Sequence, residues 1–477
     1  MTNIKKTLNH DINLPLFKSI SEVADEMNCP VYVIGGYVRD IFISQNNKIT
    51  DIDFLIIGSG IKLAENVKKK LKGASKIKIF KTYGTAMIKW ESLNLEFVGA
   101  RKESYSFESR NPKIIPGNLK DDQDRRDFTV NTIAIQLNSS SFGNLIDPFD
   151  GIKDIENRIL RTPLDPKITY TDDPLRMLRG VRFSCQLNFN ISKESEIAIK
   201  SKSKRIGIIS NERIVEELNK ILMSDSPSRG FILLEKLGLL KFILPELIFL
   251  KGIDEIEGQK HKDNFYHTLE VLDNITNHSE NLWLRWAALL HDIGKANTKK
   301  FDKKIGWTFH GHELMGSKMV YKIFKRLKLP LNEKMKYVQK IVFLSSRPVI
   351  LSQKKITDSA IRRIIYDAGD YIDDLITLCE ADITTKNIKK FNLYHENFKI
   401  VRKKIKEVEN RDRIRNFQPP ISGEDIMNYF KIKPCKEIGI IKEKIKEAIL
   451  EGEIINDYEQ SLKMMKKIGD EMKLKKN

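Results

Sequence analysis

The spacing of hydrophobic and polar positions changes once along the chain. Up to about Asp150, short runs rich in β-branched residues, VYVIGG (31–36), DIDFLII (51–57) and TAMIKW (85–90), alternate with stretches of helical spacing. That alternation predicts an α/β arrangement built on a sheet. NLEFVGAR (94–101) and TVNTIAIQL (129–137) both read as strands and are expected to pair with each other. The polar segment between them, SYSFESRNPKIIPGNLKDDQD, is expected to be a long loop, and such loops inside compact domains are usually functional or mobile. From about Gly151 the strand signals nearly vanish. NERIVEELNKIL (211–222) and LWLRWAALLHDIG (282–294) repeat apolar residues at three- and four-residue steps, so the remainder is expected to be mainly helical.

Composition sharpens this picture modestly. At roughly 100 to 200 residues per domain, 477 residues suggest about three domains. The 41% hydrophobic and 31% charged residues are an ordinary globular balance, which excludes a disordered chain. Lys and Arg number 83 against 64 Asp and Glu, a net charge of +19, which suits a polyanionic partner or reflects a Lys-rich composition throughout. The four cysteines are far apart and form no CxxC pair, which fits a reducing compartment and excludes a disulfide scaffold. The N-terminus lacks the apolar core of a signal peptide, and no stretch approaches the ~18 apolar residues of a membrane span. A cytoplasmic protein without membrane partners is expected.

Two glycines, Gly35 and Gly36, follow the strand VYVI and precede a helix. Glycine there lets backbone approach a ligand, and N–H groups at a helix start favour phosphate, although a plain tight turn has the same pattern. Asp51 and Asp53 flank Ile52 in TDIDFLII. The two-residue period of a strand puts both carboxylates on one face and Ile52 in the core. Such a pair is either solvated at a strand end or shared by a divalent cation, and Mg²⁺ is commonly held by one or two carboxylates together with substrate phosphates. In RRDFTVN (125–131), Arg125 and Arg126 offer rigid forks of donors to a triphosphate, and Asp127 offers an acceptor to a ribose hydroxyl. In DDPLRMLRGVRF (172–183), Asp173, Arg176 and Gly180 share a helical face. A carboxylate and a guanidinium side by side match the edge of cytosine or adenine and meet guanine or uracil acceptor against acceptor. The same pair also reads as a helix salt bridge worth about a few tenths of a kcal/mol.

GGYVRD, DID, RRDFTVN and DDPLRMLR, in this order, resemble the class II tRNA nucleotidyltransferase and bacterial poly(A) polymerase superfamily. LIDPFDGIKDIENRILRT (145–162) and SNERIVEELNKIL (210–222) resemble further segments of it, so the likeness covers at least residues 31–222. It implies a multidomain α+β protein, with a polymerase-β-like head holding a mixed sheet, followed by all-α neck, body and tail domains. By that resemblance Asp51 and Asp53 bind the catalytic Mg²⁺. Gly35, Gly36, Arg39, Arg126, Asp127 and Asn131 contact the incoming nucleotide, and Asp173 and Arg176 serve as a protein template for CTP and then ATP. Arg179 and Arg182 read equally as further phosphate contacts or as a basic helix face turned to the acceptor stem. Asp172, Gly180 and Thr132 depart from the usual Glu, Ala and Ala, and none of these changes removes a group assigned to chemistry. Glu96 is a candidate third carboxylate, and the segment 101–120 matches the flexible element that helps bacterial enzymes switch nucleotides.

A second cluster lies further on. Six of the eight histidines, His261, His267, His278, His291, His310 and His312, fall between positions 261 and 312. HTLEV (267–271), HDIGK (291–295) and FHGHE (309–313) resemble the HD metal-dependent phosphohydrolases, with Asp382 in the role of the distant aspartate. Imidazole with carboxylate and open positions suits Ni²⁺, Co²⁺ or Mn²⁺ and the activation of water against a phosphoester. The expected ligands are His267, His291, Asp292, His310, His312 and Asp382, with Lys295 as a phosphate contact; His261 and His278 are expected at the surface. Some bacterial CCA-adding enzymes carry such a domain, and in them it hydrolyses 2′,3′-cyclic phosphate and 2′-phosphate ends.

The expectation is a Mg²⁺-dependent enzyme that adds C, C and A to the acceptor end of tRNA from CTP and ATP, as a monomer or homodimer, with an accessory HD phosphohydrolase. Its expected divisions are a head (1–152), a neck (153–258), an HD domain (259–387) and a helical tail (388–477). The rivals are a poly(A) polymerase using ATP alone and an HD phosphohydrolase with an RNA-binding head.

Overall fold

The computed structural model describes residues 15–43, 50–106, 109–348 and 357–474. The chain forms two compact units, Met1–Ile243 and Leu244–Asn477.

The first unit is built on a seven-stranded mixed sheet. Its strands are β1 (Val31–Ile34), β2 (Asp51–Ile56), β3 (Lys78–Phe80), β4 (Thr85–Trp90), β5 (Leu93–Gly99), β8 (Ala134–Gln136) and β9 (Leu145–Ile146), in the order β3-β4-β5-β2-β1-β8-β9. β1 runs antiparallel to β2 and to β8, whereas β2 and β5 are parallel, with Asp51 beside Asn94 and Asp53 beside Glu96. The sheet therefore sets the acidic positions of two strands next to one another. Behind them the aromatic core is continuous: Phe54 stacks on Phe97 at 5.3 Å between ring centres, and Phe17 of the helix Pro15–Glu26 packs on Phe54 at 5.9 Å.

Two expectations are corrected here. The strand at 94–101 does not pair with 129–137, because both edges of β5 are taken by β2 and β4. Residues Thr129–Asn131 form a 3-10 turn, leaving only Ala134–Gln136 to pair with β1. The polar segment after Arg101 is not a plain loop. β6 (Arg101–Ser106) and β7 (Ser109–Pro116) pair antiparallel as a separate two-stranded ribbon, with Glu103 opposite Ile114. A ribbon with no sheet packed on it has little apolar face to bury, as the 58% exposure of Ile115 shows, so the alternation that reveals a strand is missing from its sequence.

After Gly151 helices dominate, as the periodicity predicts. In the second unit the helices Asn264–Thr276, Leu282–Leu290, His312–Leu327, Glu333–Leu344 and Ile372–Ala381 pack on one another, with Trp286 and Phe324 fully buried among them. Among the described residues no helix is long and apolar enough to cross a membrane.

Candidate active sites

The first site begins where β1 turns into the helix Gly36–Ile43. Gly35 has φ +88°, and a Cβ there would stand 2.8 Å from Asp53 Oδ2 and 3.3 Å from Arg126 Nη1. The glycine is required by its backbone angle and by the approach of both side chains. On β2, Ile52 is buried while Asp51 and Asp53 share the other face. Asp51 accepts from Asn94 Nδ2 at 3.0 Å and from Thr50 Oγ1 at 2.6 Å. Burial pushes the Asp53 carboxyl above its ordinary range; Arg126 pulls it back, and Asp51 and Asp122 push it further up. Glu96 is raised in the same way, by burial first and then by Asp53. Asp53 and Glu96 carry more negative charge than their protein neighbours neutralise, and Asp51 stands on the same face. A hard divalent cation is the group that relieves this, so the residues fit Mg²⁺.

Asp53 and Glu96 line a cleft of about 580 Å³, together with Asp127, Asp173, Arg176 and Arg179. Asp127 is held firmly. Its Oδ2 accepts from Arg179 at 2.6 to 2.8 Å, and its Oδ1 accepts from Asn131 Nδ2 at 3.0 Å and from the Phe128 N–H at 2.9 Å. Burial opposes its charge, yet Arg179 and Asn131 hold the carboxyl far below the usual range. Asp173 sits in extended backbone between the helices Pro166–Asp172 and Leu175–Leu187, where Oδ1 accepts from the Leu175 N–H at 3.1 Å. Arg176, on the first turn of the second helix, donates to the Arg125 carbonyl. Arg126 also lines the cleft, with Nε on Asp122 Oδ2 at 3.0 Å and Nη1 on the Asn131 carbonyl at 3.3 Å.

Three expected nucleotide contacts stand elsewhere. Arg39 is 8% exposed, donates to Asp40 and to Asn131 Oδ1 at 2.9 Å, and lies against the Phe183 ring. Arg182, equally buried, pairs with Glu217 at 2.5 Å and packs over Phe183 at 3.9 Å. Asn131 is spent on Arg39 and Asp127. A buried guanidinium must be paired to stay charged, so these side chains brace the cleft from behind and do not line it. Sequence reasoning missed Asp122, which is fully buried and holds both Arg125 and Arg126; its three- and four-residue spacing from them on a helix is a legible signal. It also missed Glu103 on β6, which pairs with Arg101 at 2.7 Å and lies 3.4 Å from Arg125. Nothing local announces Glu103.

The second site gathers residues from four helix ends. His267 lies on the helix Asn264–Thr276, His291 and Asp292 end the helix Leu282–Leu290, His312 opens the helix His312–Leu327, and Asp382 follows Ile372–Ala381. Gly294 lets two of these meet: a Cβ there would stand 2.1 Å from the His312 carbonyl oxygen. The Nδ1 of His291 is 2.8 Å from the Ala288 carbonyl and that of His312 is 2.9 Å from the Phe309 carbonyl. A carbonyl only accepts, so each Nδ1 carries a proton and each Nε2 is left to face the acids. His267 Nδ1 is likewise 3.0 Å from Thr384 Oγ1.

The acids and the Nε2 atoms converge. His267 Nε2 is 2.8 Å from Asp382 Oδ1 and 3.6 Å from Asp292 Oδ2, and His291 Nε2 is 3.3 Å from Asp292 Oδ2 and 3.6 Å from Asp382 Oδ1. His291 Nε2 is buried with no hydrogen-bond partner, and Asp382 Oδ1 is buried with the imidazoles of His267 and His291 as its ion-pair neighbours. Burial alone would lower His291, but Asp292 and Asp382 push it up to about 10. Against the same burial, the imidazoles hold both carboxyls well below their ordinary range. The pocket calls for a cation at Nε2, and the donor set fits a borderline transition metal. His267, His291 and Asp292 offer ligand atoms that all lie within 4.8 Å of one another. His312 stands at the other oxygen of Asp292, its Nε2 3.6 Å from Oδ1, and Lys295 Nζ bonds Asp292 Oδ2 at 2.6 Å. His310 is exposed and outside the cluster, in contrast to its expected role. His261 corrects another expectation. Its imidazole is 6% exposed and packs edge-on against Trp307 and Phe309, and it is not a surface group.

Family models match three successive stretches: the poly A polymerase head domain at 31–161, the probable RNA and SrmB-binding site of polymerase A at 188–250, and the HD domain at 264–384. The A-adding tRNA nucleotidyltransferase of Deinococcus radiodurans is 31% identical over 349 residues, covering 71% of this chain and 77% of the relative. The chain belongs to the tRNA nucleotidyltransferase and poly(A) polymerase family. Another member, the multifunctional CCA protein of Pseudomonas fluorescens, is 31% identical over 317 residues, 63% of this chain and 71% of that one. The chain spans only 28%, 42% and 57% of the length of three further relatives with the A-adding name. The fold matches a solved structure of the Thermotoga maritima CCA-adding enzyme complexed with tRNA, with a TM-score of 0.61 at 22% identity over 98% of both chains. Both acid clusters fall inside stretches that this family's models recognise: Asp51, Asp53 and Glu96 in the head, and His267 to Asp382 in the HD domain.

Proposed function

We propose that the chain is a CCA-adding tRNA nucleotidyltransferase, using CTP and ATP without a nucleic-acid template, with a second, HD-type phosphohydrolase site. The observation that carries the first part is a cleft with undercompensated carboxylates, Asp53 and Glu96, that is also lined by the edge-reading pair Asp173 and Arg176. Asp51 and Asp53 hold Mg²⁺, with Glu96 beside them. A metal bound there would lower the pKa of the primer's 3′-hydroxyl and neutralise charge on the leaving pyrophosphate. The protein's own groups then do the positioning. Arg126 and Arg179 face the triphosphate, Asp127 is locked to receive a ribose hydroxyl, and Asp173 with Arg176 meets the base edge. The 3′-oxygen forms its bond to the α-phosphorus as the bond to pyrophosphate breaks. Arg39, Asn131 and Arg182 support this frame from behind.

The helix-end cluster holds Mn²⁺, Co²⁺ or Ni²⁺ through His267, His291, Asp292 and Asp382, with His312 and Lys295 beside it. Its substrate is a phosphoester end of RNA, such as a 2′,3′-cyclic phosphate. The two tasks fall to the head, 1–152, and the HD domain, 259–387, in a division that also has a neck, 153–258, and a tail, 388–477.

A second reading has specific support: relatives with the A-adding name are among those found. Incorporation on two primers decides between them. CCA addition predicts exactly three nucleotides on tRNA ending at the discriminator base when CTP and ATP are supplied. A-addition alone predicts none on that primer and a single A on one ending in CC.

A further inference from the structure

The cleft has a feature that the nucleotide-binding account leaves unused. β3 is an edge strand of the sheet and all three of its side chains are exposed. Phe80 at its end is 47% exposed, and Tyr83, in the 3-10 turn that follows, is 42% exposed; both line the cleft that holds Asp53 and Glu96. Arg101 fixes the second ring: its guanidinium lies 5.7 Å from the Tyr83 ring centre and its Nη1 donates to the Tyr83 carbonyl at 3.1 Å.

Large exposed rings set beside a catalytic cleft make a stacking platform for single-stranded nucleic acid, because every base has a π-face. The incoming nucleotide does not need this platform. In the proposed function its base edge is met by Asp173 and Arg176, which recognise hydrogen-bonding groups and offer no ring face. The strand that receives the nucleotide has no such assigned contact.

We infer that Phe80 and Tyr83 form a shelf on which the terminal base of the RNA primer stacks, with Arg101, itself anchored by Glu103, holding the shelf in place. This rests on the nucleotidyltransferase reading and adds the subsite for the second substrate. It gives a role to two rings that are exposed on the wall of the cleft itself.

The test is steady-state kinetics and direct binding of an acceptor-stem RNA to the full-length protein and to Phe80→Ala, Tyr83→Ala and Tyr83→Phe. Each alanine variant is expected to raise KM and Kd for the RNA about tenfold, with KM for CTP and ATP within about twofold of the parent; Tyr83→Phe should restore the parent values. An RNA whose last ribose carries no base should bind the parent about tenfold more weakly and bind Tyr83→Ala no worse than the intact RNA does. Unchanged RNA affinity in both alanine variants overturns the shelf, and so does a rise in nucleotide KM alone. A parent protein that adds no nucleotide yet loses RNA affinity in these variants overturns the nucleotidyltransferase reading and leaves the RNA contact standing.

Discussion

In the first unit Asp53 and Glu96 are pushed towards protonation, whereas in the second Asp292 and Asp382 are held ionised far below the usual carboxylate range. Asp51 and Glu96 are exposed and Asp53 is half-buried, whereas Asp292 is buried; deeper burial would raise the acids of the second site, so burial does not explain why they are the lower ones. Their neighbours do. Asp53 faces Glu96 across a parallel pair of strands and has Asp51 on its own face, so acid meets acid; Asp292 and Asp382 each face imidazoles. A cluster of like charges is complete only with a divalent cation, which in nucleotidyl transfer arrives with the triphosphate. A mixed imidazole and carboxylate cluster, its tautomers set by outward hydrogen bonds, is ready to retain its metal without substrate.

Removing the acids at each site should break this comparison most visibly. Asp51→Ala and Asp53→Ala are expected to cut nucleotide addition by about a thousandfold or more while hydrolysis at the HD site persists, measured on one preparation with both substrates. A smaller loss than about tenfold would mean that these acids do not hold the catalytic metal.

Metal content sharpens the contrast. After desalting, mass-spectrometric metal analysis should find about one transition-metal ion per chain in the parent, and a clear loss of it in His267→Ala and Asp382→Ala. Mg²⁺ should wash out of both. Retention of the transition metal by both variants would remove those residues from the ligand set.

Stability should respond with opposite signs at the two kinds of acid. Asp53→Asn removes a charge crowded by Asp51, Glu96 and Asp122, so without added metal its melting temperature should rise by about 2 °C or more even as addition is lost. A lower melting temperature would show that the crowding is already relieved. Asp127 is the reverse case: its carboxyl is depressed by Arg179, so the pair contributes fully above the ordinary carboxylate pKa and the contribution is lost as pH falls below it. Asp127→Asn should therefore flatten the acid limb of the stability profile below about pH 4. An unchanged limb in circular-dichroism melts would count against the ion pair.

Much of the site is legible in the sequence alone. The two-residue period of β2 alone puts Asp51 and Asp53 on one face, and the HD and FHGHE segments, through their resemblance, pick out His291, Asp292 and His312. Other parts depended on contacts that no local pattern carries. Glu96 is a candidate in the sequence, but only the register of a parallel strand pair sets it beside Asp53, and the ribbon of β6 and β7 lacks the apolar alternation that a packed sheet imprints. Arg39 and Arg182 look like phosphate ligands in sequence because a guanidinium suits either role; only their burial against Asp40, Asn131 and Glu217 shows which they take. His310 and His312 stand two positions apart and look equivalent in sequence, and only the helix start at His312 and the close approach at Gly294 separate them.

The central claim, two metal sites with separate tasks in one chain, is tested most directly by assaying the variant carrying both His291→Ala and Asp292→Ala for two activities in the same folded preparation. The account predicts that hydrolysis of a 2′,3′-cyclic phosphate end is lost while addition from CTP and ATP to tRNA stays within about twofold of the parent. Loss of both activities in protein that melts normally would contradict it.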